Sequence, residues 1–166
     1  MAAKAALAEG WAVARVVQPY RLAGRRGPAP TPQLDTAWLS VIAALRRRRG
    51  LRDVSLVSGG RSSGARVACR TATVTDAVGV IALAFPLHPP GRSGADRSDE
   101  LSQADVPVLV VQGDRDAFGS GDQIAAAGID GVEICRAPGA DHSLRSRVAL
   151  DAVAMAVGPW LRRLSR

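Results

Sequence analysis

Short apolar runs alternate along the chain with stretches in which apolar residues recur at helical spacing. Each apolar run is nearly continuous, which is typical of strands buried on both faces of a parallel sheet. This pattern predicts five strands: Ala12–Val17, Val54–Ser58, Val78–Ala84, Val108–Gln112 and Val132–Arg136. Helical spacing predicts five helices: Ala3–Glu9, Thr36–Arg48, Ser63–Thr71, Gln123–Ala127 and Leu144–Leu164. The alternation favours a three-layer α/β fold with a mostly parallel sheet and right-handed crossovers.

Two stretches interrupt this alternation. Prolines and arginines crowd residues Gln18–Gln33, and the segment Pro86–Asp99 reads PLHPPGRSGADRSD. Both predict long irregular loops, and because long loops in compact domains often carry function, both are candidate rims of a site. Asp35 stands immediately before the second predicted helix, where it is placed to cap that helix.

Length and composition indicate one domain that spans residues 1–166. Hydrophobic residues make up 47% of the 166 positions and charged residues 22%, a globular composition that argues against a disordered chain. A chain of this length buries roughly two-thirds of its unfolded surface, which is enough for a core without disulfides or metals. Aromatic residues are only 4%, so Ala, Val, Leu and Ile must build that core.

The formal charge of +7 rests on arginine, since Lys4 is the single lysine among 22 basic residues. The run Arg46–Arg49 raises the hypothesis of a nucleic-acid patch. Arginines at a helix C-terminus also complement the helix dipole, and no aromatic residues lie between them for base stacking. We therefore expect no nucleic-acid partner.

Cysteine and histidine usage argues against a disulfide and a metal site. Cys69 and Cys135 lie far apart in apolar stretches, so we expect free thiols in a reducing compartment, the cytoplasm. With only His88 and His142, the chain has no zinc-ligand spacing, and we expect neither a metal nor another cofactor. The longest apolar run, Val78–Ala84, is far too short for a membrane-spanning helix.

The clearest chemical motif is the segment Gly60–Gly64, whose sequence GRSSG fits G-x-S-x-G. A predicted strand ends just before it and a helix begins at about Ser63, which is the strand–turn–helix setting of a nucleophilic serine, here Ser62. Glycines suit this turn because the backbone is strained and the chain doubles back on itself. The alternative is a flexible Gly/Ser loop without chemistry.

Candidate partners for this serine follow two later strands. Asp114 and Asp116 come just after Val108–Gln112, at the sheet edge where α/β sites form, and Asp116, three residues beyond Gly113, is the preferred acid. His142 lies between the last strand and the last helix. The alternatives are that either aspartate caps a helix or holds a turn, and that the histidine is an ordinary surface residue.

The order Ser62, Asp116, His142 matches the nucleophile–acid–base order of α/β-hydrolases. In this hypothesis His142 takes the proton of Ser62, while Asp116 fixes the imidazole tautomer and stabilises its cation. The backbone N–H of Ser63 is one oxyanion-hole donor. We expect the His142 ring to lie within hydrogen-bond reach of both Ser62 and Asp116.

Five longer stretches carry a more specific likeness: GWAVARVVQPYRLAGRR, GGRSSGARVACRTA, LAFPLHPPGR, PVLVVQGDRDAFG and GADHSL. They resemble a small dienelactone-hydrolase-like branch of the α/β-hydrolases. That branch includes uncharacterised bacterial hydrolases and a subunit of the nonspecific-lethal histone-acetyltransferase complex. The resemblance spans Leu7–Leu164 and implies an α/β-hydrolase fold with a Ser62–Asp116–His142 triad. It implies no substrate, and some members of the branch look like scaffolds.

The resemblance also implies a strand and a His-Gly-type loop ahead of the first helix, where they supply a second oxyanion-hole donor. Met1 opens directly into that helix, so we expect a domain that lacks its N-terminal strands. The absent strand would lie between Ala12–Val17 and Val54–Ser58. Two interpretations stay open: a reading frame that continues upstream of Met1, and a shortened product.

These observations favour a cytoplasmic serine hydrolase that acts on a small-molecule ester, thioester or similar acyl substrate. The alternative is a non-catalytic α/β-hydrolase-like interaction module. His88, between prolines in PLHPP, is a candidate for the pocket rim, and the alternative for it is a structural loop residue. The sequence gives no indication of the oligomeric state.

Overall fold

The computed structural model describes residues 1–89 and 96–164. Its four strands are β1 (Leu56–Arg61), β2 (Ala77–Leu83), β3 (Val108–Gly113) and β4 (Val132–Ala137). They form one parallel sheet in the order β1-β2-β3-β4. Because parallel neighbours need crossover connections, the segments between strands must cross the faces of the sheet, and helices fill them.

Two layers of helices cover this sheet. Within the described residues the helices are α1 (Ala2–Ala8), α2 (Pro19–Leu22), α3 (Thr31–Arg46), α4 (Ser63–Thr71), α5 (Ser98–Ser102), α6 (Gly121–Ala126) and α7 (Arg147–Leu164), with a 3-10 turn at Thr73–Thr75. Helix α4 packs against β1 and β2 beside α3 and α5, and α6 packs on the same face, while α7 and α1 cover the opposite face. None of these helices is long and apolar enough to cross a membrane.

Alternate residues of β3 supply both apolar layers of the core. Val108 and Val110 join the cluster beneath α4 and α6, whereas Leu109 and Val111 join the cluster beneath α7. All the residues of β3 are buried, which explains why its sequence is continuously apolar rather than alternating. The predicted three-layer α/β fold with a mostly parallel sheet is confirmed.

The strand predicted at Ala12–Val17 is wrong, because residues 11–18 form no regular secondary structure. This segment and β1 line the same apolar cavity of about 460 Å³, which also receives Trp38 from α3. Among the described residues the segment pairs with no strand, and β1 lies at the edge of the sheet. An apolar run becomes a strand only where a neighbour completes its backbone hydrogen bonds, and that neighbour is a tertiary feature.

The second predicted helix begins earlier than its sequence suggested. Helix α3 starts at Thr31 with a proline in its first turn, so Asp35 lies inside the helix, and its predicted capping role is wrong. The Asp35 carboxylate instead accepts two hydrogen bonds from the Arg70 guanidinium of α4, at 2.7 and 3.0 Å. This ion pair joins two helices that cover the same face of the sheet.

The predicted loops and the last helix also need correction. Residues Gln18–Gln33 include α2 and the first turn of α3, and α5 begins within Pro86–Asp99. Residues 90–95 of that second loop lie outside the described residues. The last helix begins at Arg147 rather than Leu144, since Leu144 has a φ of +50°, outside the helical range.

Candidate active site

Ser62 occupies the turn between β1 and α4. Its backbone has φ +57° and ψ −117°, a conformation that residues with a side chain rarely adopt. The Ser62 N–H donates to the Leu83 carbonyl at 2.9 Å and so extends the pairing of β1 with β2. Its carbonyl accepts from the N–H groups of Ala65 and Arg66 in the first turn of α4. Strand and helix together hold the serine in its strained conformation.

Gly60 and Gly64 flank this serine but meet different steric conditions. A Cβ atom on Gly60 would lie 2.5 Å from the carbonyl carbon of Gly64, closer than such atoms can approach. A Cβ atom on Gly64 would meet no atom within 4 Å. The turn therefore requires glycine at position 60 and not at position 64.

Asp116 lies in the turn after β3, and its side chain is fully buried. Its Oδ1 accepts from the Phe118 N–H at 2.9 Å, while the Asp116 N–H donates to the Gly113 carbonyl at 3.3 Å. Side-chain contacts of this kind are the reason why aspartate is favoured in turns. The alternative acid, Asp114, is exposed to solvent, so the structure favours Asp116.

His142 lies in a turn beyond β4 that its two neighbours stabilise. Asp141 Oδ1 accepts from the Ser143 hydroxyl at 2.6 Å and from the Ser143 N–H at 2.9 Å, and these hydrogen bonds lower the pKa of Asp141. Nη1 of Arg61 donates to the carbonyls of His142 and Ser143, at 3.3 and 3.1 Å. The arginine next to Ser62 thus ties the histidine turn to the end of β1.

The three predicted side chains form one chain of hydrogen bonds. Nε2 of His142 lies 2.8 Å from Ser62 Oγ, and Nδ1 lies 2.8 Å from Asp116 Oδ2. Because a carboxylate only accepts, the tautomer with a proton on Nδ1 fits this network and turns the Nε2 lone pair toward the serine hydroxyl. That is the form in which an imidazole can act as a general base. The imidazole is 23% exposed, so a reactant can reach it from solvent.

Phe118 and His88 brace the turn that carries Asp116. The Phe118 ring meets the His142 ring edge-on, with centroids 4.6 Å apart and planes at 69°. The Phe118 carbonyl accepts from the His88 N–H at 2.8 Å. His88 therefore contacts the acid turn through its backbone, and its place on a pocket rim stays a prediction.

Ser63 is the first residue of α4. The N–H groups in the first turn of a helix have no partner inside the helix, and they point toward its N-terminus. The Ser63 N–H therefore suits the predicted oxyanion-hole role, which stays a prediction. Among residues 1–89 and 96–164, no three His, Cys, Asp or Glu side chains are grouped so that they could hold a metal ion.

The apolar cavity along β1 lies beside these residues rather than over them. Its lining reaches Gly60 and Arg61 at one end, but Ser62, Asp116 and His142 are not part of it. The cavity follows the free edge of β1 between α1 and α3. Its volume therefore does not by itself identify a substrate site.

Two residues that contact the site were missed in the sequence. Nε2 of Gln112 lies 3.0 Å from Asp116 Oδ2, and Arg61 donates to the carbonyls of His142 and Ser143. Gln112 carried a signal, because an amide at the end of an otherwise apolar buried strand needs a partner there. Arg61 carried none, since its position in the motif accepts any residue.

A family whose description is "Alpha/beta hydrolase domain" matches residues 1–157 of the chain. A solved structure of an alpha-beta serine hydrolase homologue from Coxiella burnetii is 22% identical, with a TM-score of 0.61, over 80% of this chain and 62% of that one. A member of the alpha/beta superfamily from Xanthomonas campestris pv. campestris is 18% identical, with a TM-score of 0.71, over 98% of this chain and 87% of that one.

Dienelactone hydrolase from Anabaena variabilis is 17% identical, with a TM-score of 0.59, over 80% of this chain and 60% of that one. The chain thus spans less than two thirds of the length of the Coxiella and Anabaena proteins. At these identities the likeness to solved structures shows the fold alone. No curated protein matches the sequence.

Proposed function

Because the chain belongs to the alpha/beta hydrolase family, we propose that it is a serine hydrolase that cleaves a small ester, thioester or similar acyl substrate. The observation that carries this proposal is the pair of 2.8 Å contacts that link Ser62 to His142 and His142 to Asp116. A serine hydroxyl is a weak nucleophile, and a neighbouring base that is oriented by a third group activates it.

In the proposed mechanism Ser62 Oγ attacks the carbonyl carbon of the substrate while His142 Nε2 takes the hydroxyl proton. The carbonyl electron pair moves onto oxygen, and the Ser63 N–H donates a hydrogen bond to the resulting oxyanion. Collapse of this intermediate expels the alcohol or thiol, which takes the proton from His142 and leaves Ser62 acylated. Water then attacks the acyl group, with His142 again as base, and the carboxylic acid is released.

Asp116 has the third role in this mechanism. Its carboxylate holds the proton on Nδ1 of His142 and stabilises the imidazolium that forms when Nε2 is protonated. Burial of Asp116 supports this role, because a charge acts more strongly on its neighbour where water is excluded.

The proposed location is the cytoplasm. Cys69 and Cys135 are free thiols, as a reducing compartment favours. Burial raises the pKa of the Cys69 thiol to about 12, so this side chain is an inert part of the core rather than a second nucleophile.

A fluorophosphonate probe tests the proposed function, because it reacts rapidly only with an activated serine. We expect the wild-type protein to be labelled at Ser62, the Ser62→Ala variant to resist the probe, and the Ser40→Ala variant to behave as wild type, since Ser40 is exposed on α3. Equal labelling of Ser62→Ala would refute the assignment of the nucleophile. A folded wild-type protein that resists the probe would favour the non-catalytic interaction module, the role suggested by the resemblance to a chromatin-complex subunit.

A further inference from the structure

Gln112 is a fully buried amide near the end of β3. Its Nε2 has three oxygen neighbours: Asp116 Oδ2 at 3.0 Å, the Gly119 carbonyl at 2.6 Å and the Phe85 carbonyl at 3.2 Å. The first belongs to the proposed acid, the second to the turn after it, and the third to the segment that follows β2. One side chain therefore joins three parts of the chain at the site.

These neighbours fix the orientation of the amide. Two carbonyls and a carboxylate only accept hydrogen bonds, so the NH₂ end of Gln112 must face them. Its Oε1 is left without a partner among the described residues, and a buried polar atom without a partner lowers stability. A side chain that only filled this space would be apolar, as its neighbours Val110 and Val111 in the strand are. The NH₂ group is thus the part of this side chain that contacts the site.

We propose that Gln112 is a positioning residue that acts on the reaction through Asp116, an inference that rests on the proposed hydrolase function. Gln112 donates to Oδ2, the same oxygen that accepts from Nδ1 of His142. The Phe118 N–H holds the other oxygen, Oδ1. With both oxygens held, the carboxylate cannot rotate about its Cβ–Cγ bond, and the imidazole keeps Nε2 directed at Ser62.

The contact with Gly119 extends this effect to the backbone. Because the amide also donates to the Gly119 carbonyl, it closes the turn in which Asp116 and Phe118 lie. Removal of the amide takes the donor from the buried Gly119 carbonyl and one of the two hydrogen bonds from Asp116 Oδ2, so the carboxylate and its turn are released together. A misplacement of the acid is transmitted to the base and from there to the nucleophile.

Two variants at position 112 distinguish the loss of the N–H donor from a change in side-chain volume. Gln112→Met keeps a similar volume and has no N–H, and Gln112→Glu keeps the shape but replaces the NH₂ by an oxygen. Gln33→Met is the matched control, because Gln33 is exposed on α3. We expect fluorophosphonate to label Gln112→Met about 10- to 100-fold more slowly than wild type, the loss of one hydrogen bond to a charged group. Gln33→Met should react at the wild-type rate.

The pH profile distinguishes positioning from a structural role. In wild type the labelling rate should rise with pH as the imidazole of His142 loses its proton. In Gln112→Glu the rate should fall at higher pH, because the ionised glutamate then faces the Asp116 carboxylate at close range. A glutamine that only supported the fold would give a Gln112→Met variant whose rate differs from that of wild type by the same factor at every pH at which the variant is folded.

The wild-type protein offers a test that needs no variant to fold. The chain has two histidines, five glutamines and no asparagine, so few side-chain amide NH₂ and imidazole signals appear in an NMR spectrum of uniformly ¹⁵N-labelled protein. The Gln112 NH₂ signals should shift with the same pH midpoint as the imidazole signals of His142, because both groups bind Oδ2. The NH₂ signals of exposed Gln33 should not follow that midpoint.

Two results would overturn the inference and leave the proposed function standing. One is an unchanged labelling rate and pH profile in Gln112→Met, and the other is a set of Gln112 NH₂ signals that ignore the titration of His142. If neither variant folds, the wild-type titration decides alone. A wild-type protein that folds but resists the probe contradicts the proposed function and, with it, any role of Gln112 in catalysis.

Discussion

Oδ2 of Asp116 and Nδ1 of His142 lie 2.8 Å apart, although the two residues are 26 positions apart in the chain. The register of two parallel strands produces this contact. Gly113 at the end of β3 pairs with Ala137 at the end of β4, so the turns that follow both strands leave the sheet at the same edge. A hydrogen bond of 3.0 Å between backbone groups, from Arg115 to Ala140, then fastens one turn to the other.

The first prediction concerns the two aspartates of the acid turn. Asp116→Asn should slow fluorophosphonate labelling about 10³- to 10⁴-fold, because an amide can donate to Nδ1 and so stabilise the wrong imidazole tautomer. Asp114→Asn should leave the rate unchanged, since Asp114 is exposed. Rate constants measured for both variants at one pH check this, and a large effect of Asp114→Asn alone would transfer the acid role to that residue.

The second prediction compares the two glycines of the serine turn. Gly60→Ala should destabilise the protein by about 1–3 kcal/mol, because the new methyl group meets the backbone of Gly64 and must displace it. Gly64→Ala adds a methyl group in open space on α4, and it should be neutral or stabilising by about 0.5–1 kcal/mol. Urea unfolding of the two variants gives these free energies. Equal destabilisation of the two variants would show that the clash with the Gly64 backbone does not account for the cost of Gly60→Ala.

The third prediction links a strand glycine to the histidine turn. A Cβ atom on Gly113 would lie 2.3 Å from the carbonyl oxygen of Ala140, two residues before His142. Gly113→Ala should displace that turn by a fraction of an ångström or more and slow labelling roughly 100-fold. Gly27→Ala is the control, since a Cβ atom there meets no atom within 4 Å. A Gly113→Ala protein with wild-type reactivity would mean that the histidine turn can shift without moving His142 away from Ser62 and Asp116.

The fourth prediction concerns the ion pairs that join α4 and α5. Burial alone would raise the pKa of Glu100, but the hydrogen bonds and charges of Arg66 and Arg70 outweigh it and hold this pKa below its usual value of 4.5. Since the pKa is lower in the folded state, the pairs stabilise the fold above about pH 4.5, and this stability is lost as the pH falls through the folded pKa. Glu100→Gln should therefore cost about 1–3 kcal/mol at pH 7 and progressively less in acid.

An exposed ion pair supplies the comparison for Glu100. Glu133 pairs with Arg163, and both side chains are 56% exposed, so Glu133→Gln should cost less than about 1 kcal/mol at pH 7. Thermal unfolding of both variants from pH 3 to pH 7 measures the two effects. The prediction for Glu100 fails if its variant differs from wild type by the same amount at every pH.

The sheet and the grouping of the three candidate site residues could be predicted from the sequence. Strand β3 is a continuous apolar run, and Ser62 stands in a motif between a strand and a helix. Asp116 and His142 are weak signals alone. Because each follows a strand, their order along the chain predicts that they form one site with Ser62. Parallel topology converts order along the chain into position along one sheet edge, which is why a linear pattern can predict a three-dimensional arrangement.

The features that escaped prediction depend on partners that are remote in sequence. Ala12–Val17 is as apolar as the true strands but has no strand to pair with in the described residues. Asp35 suits a helix cap, yet Arg70 of another helix binds its carboxylate inside α3. Gln112 reaches the site through Asp116, which lies beside it only in the fold. In each case the outcome depends on a contact, made or missing, that the linear pattern does not contain.

The strand order β1-β2-β3-β4 repeats the order of synthesis. A sheet of this kind can grow as the chain emerges from the ribosome, each new strand adding to the one made just before it. Ser62 enters its turn early, once β1, β2 and α4 have formed, but His142 arrives only after β4. A nascent chain that lacks β4 therefore holds Ser62 without His142, and the hydrogen bond between them forms only once the turn after β4 is in place. If the proposed function holds, reaction with a serine probe should thus report the arrival of His142 rather than the earlier formation of the serine turn.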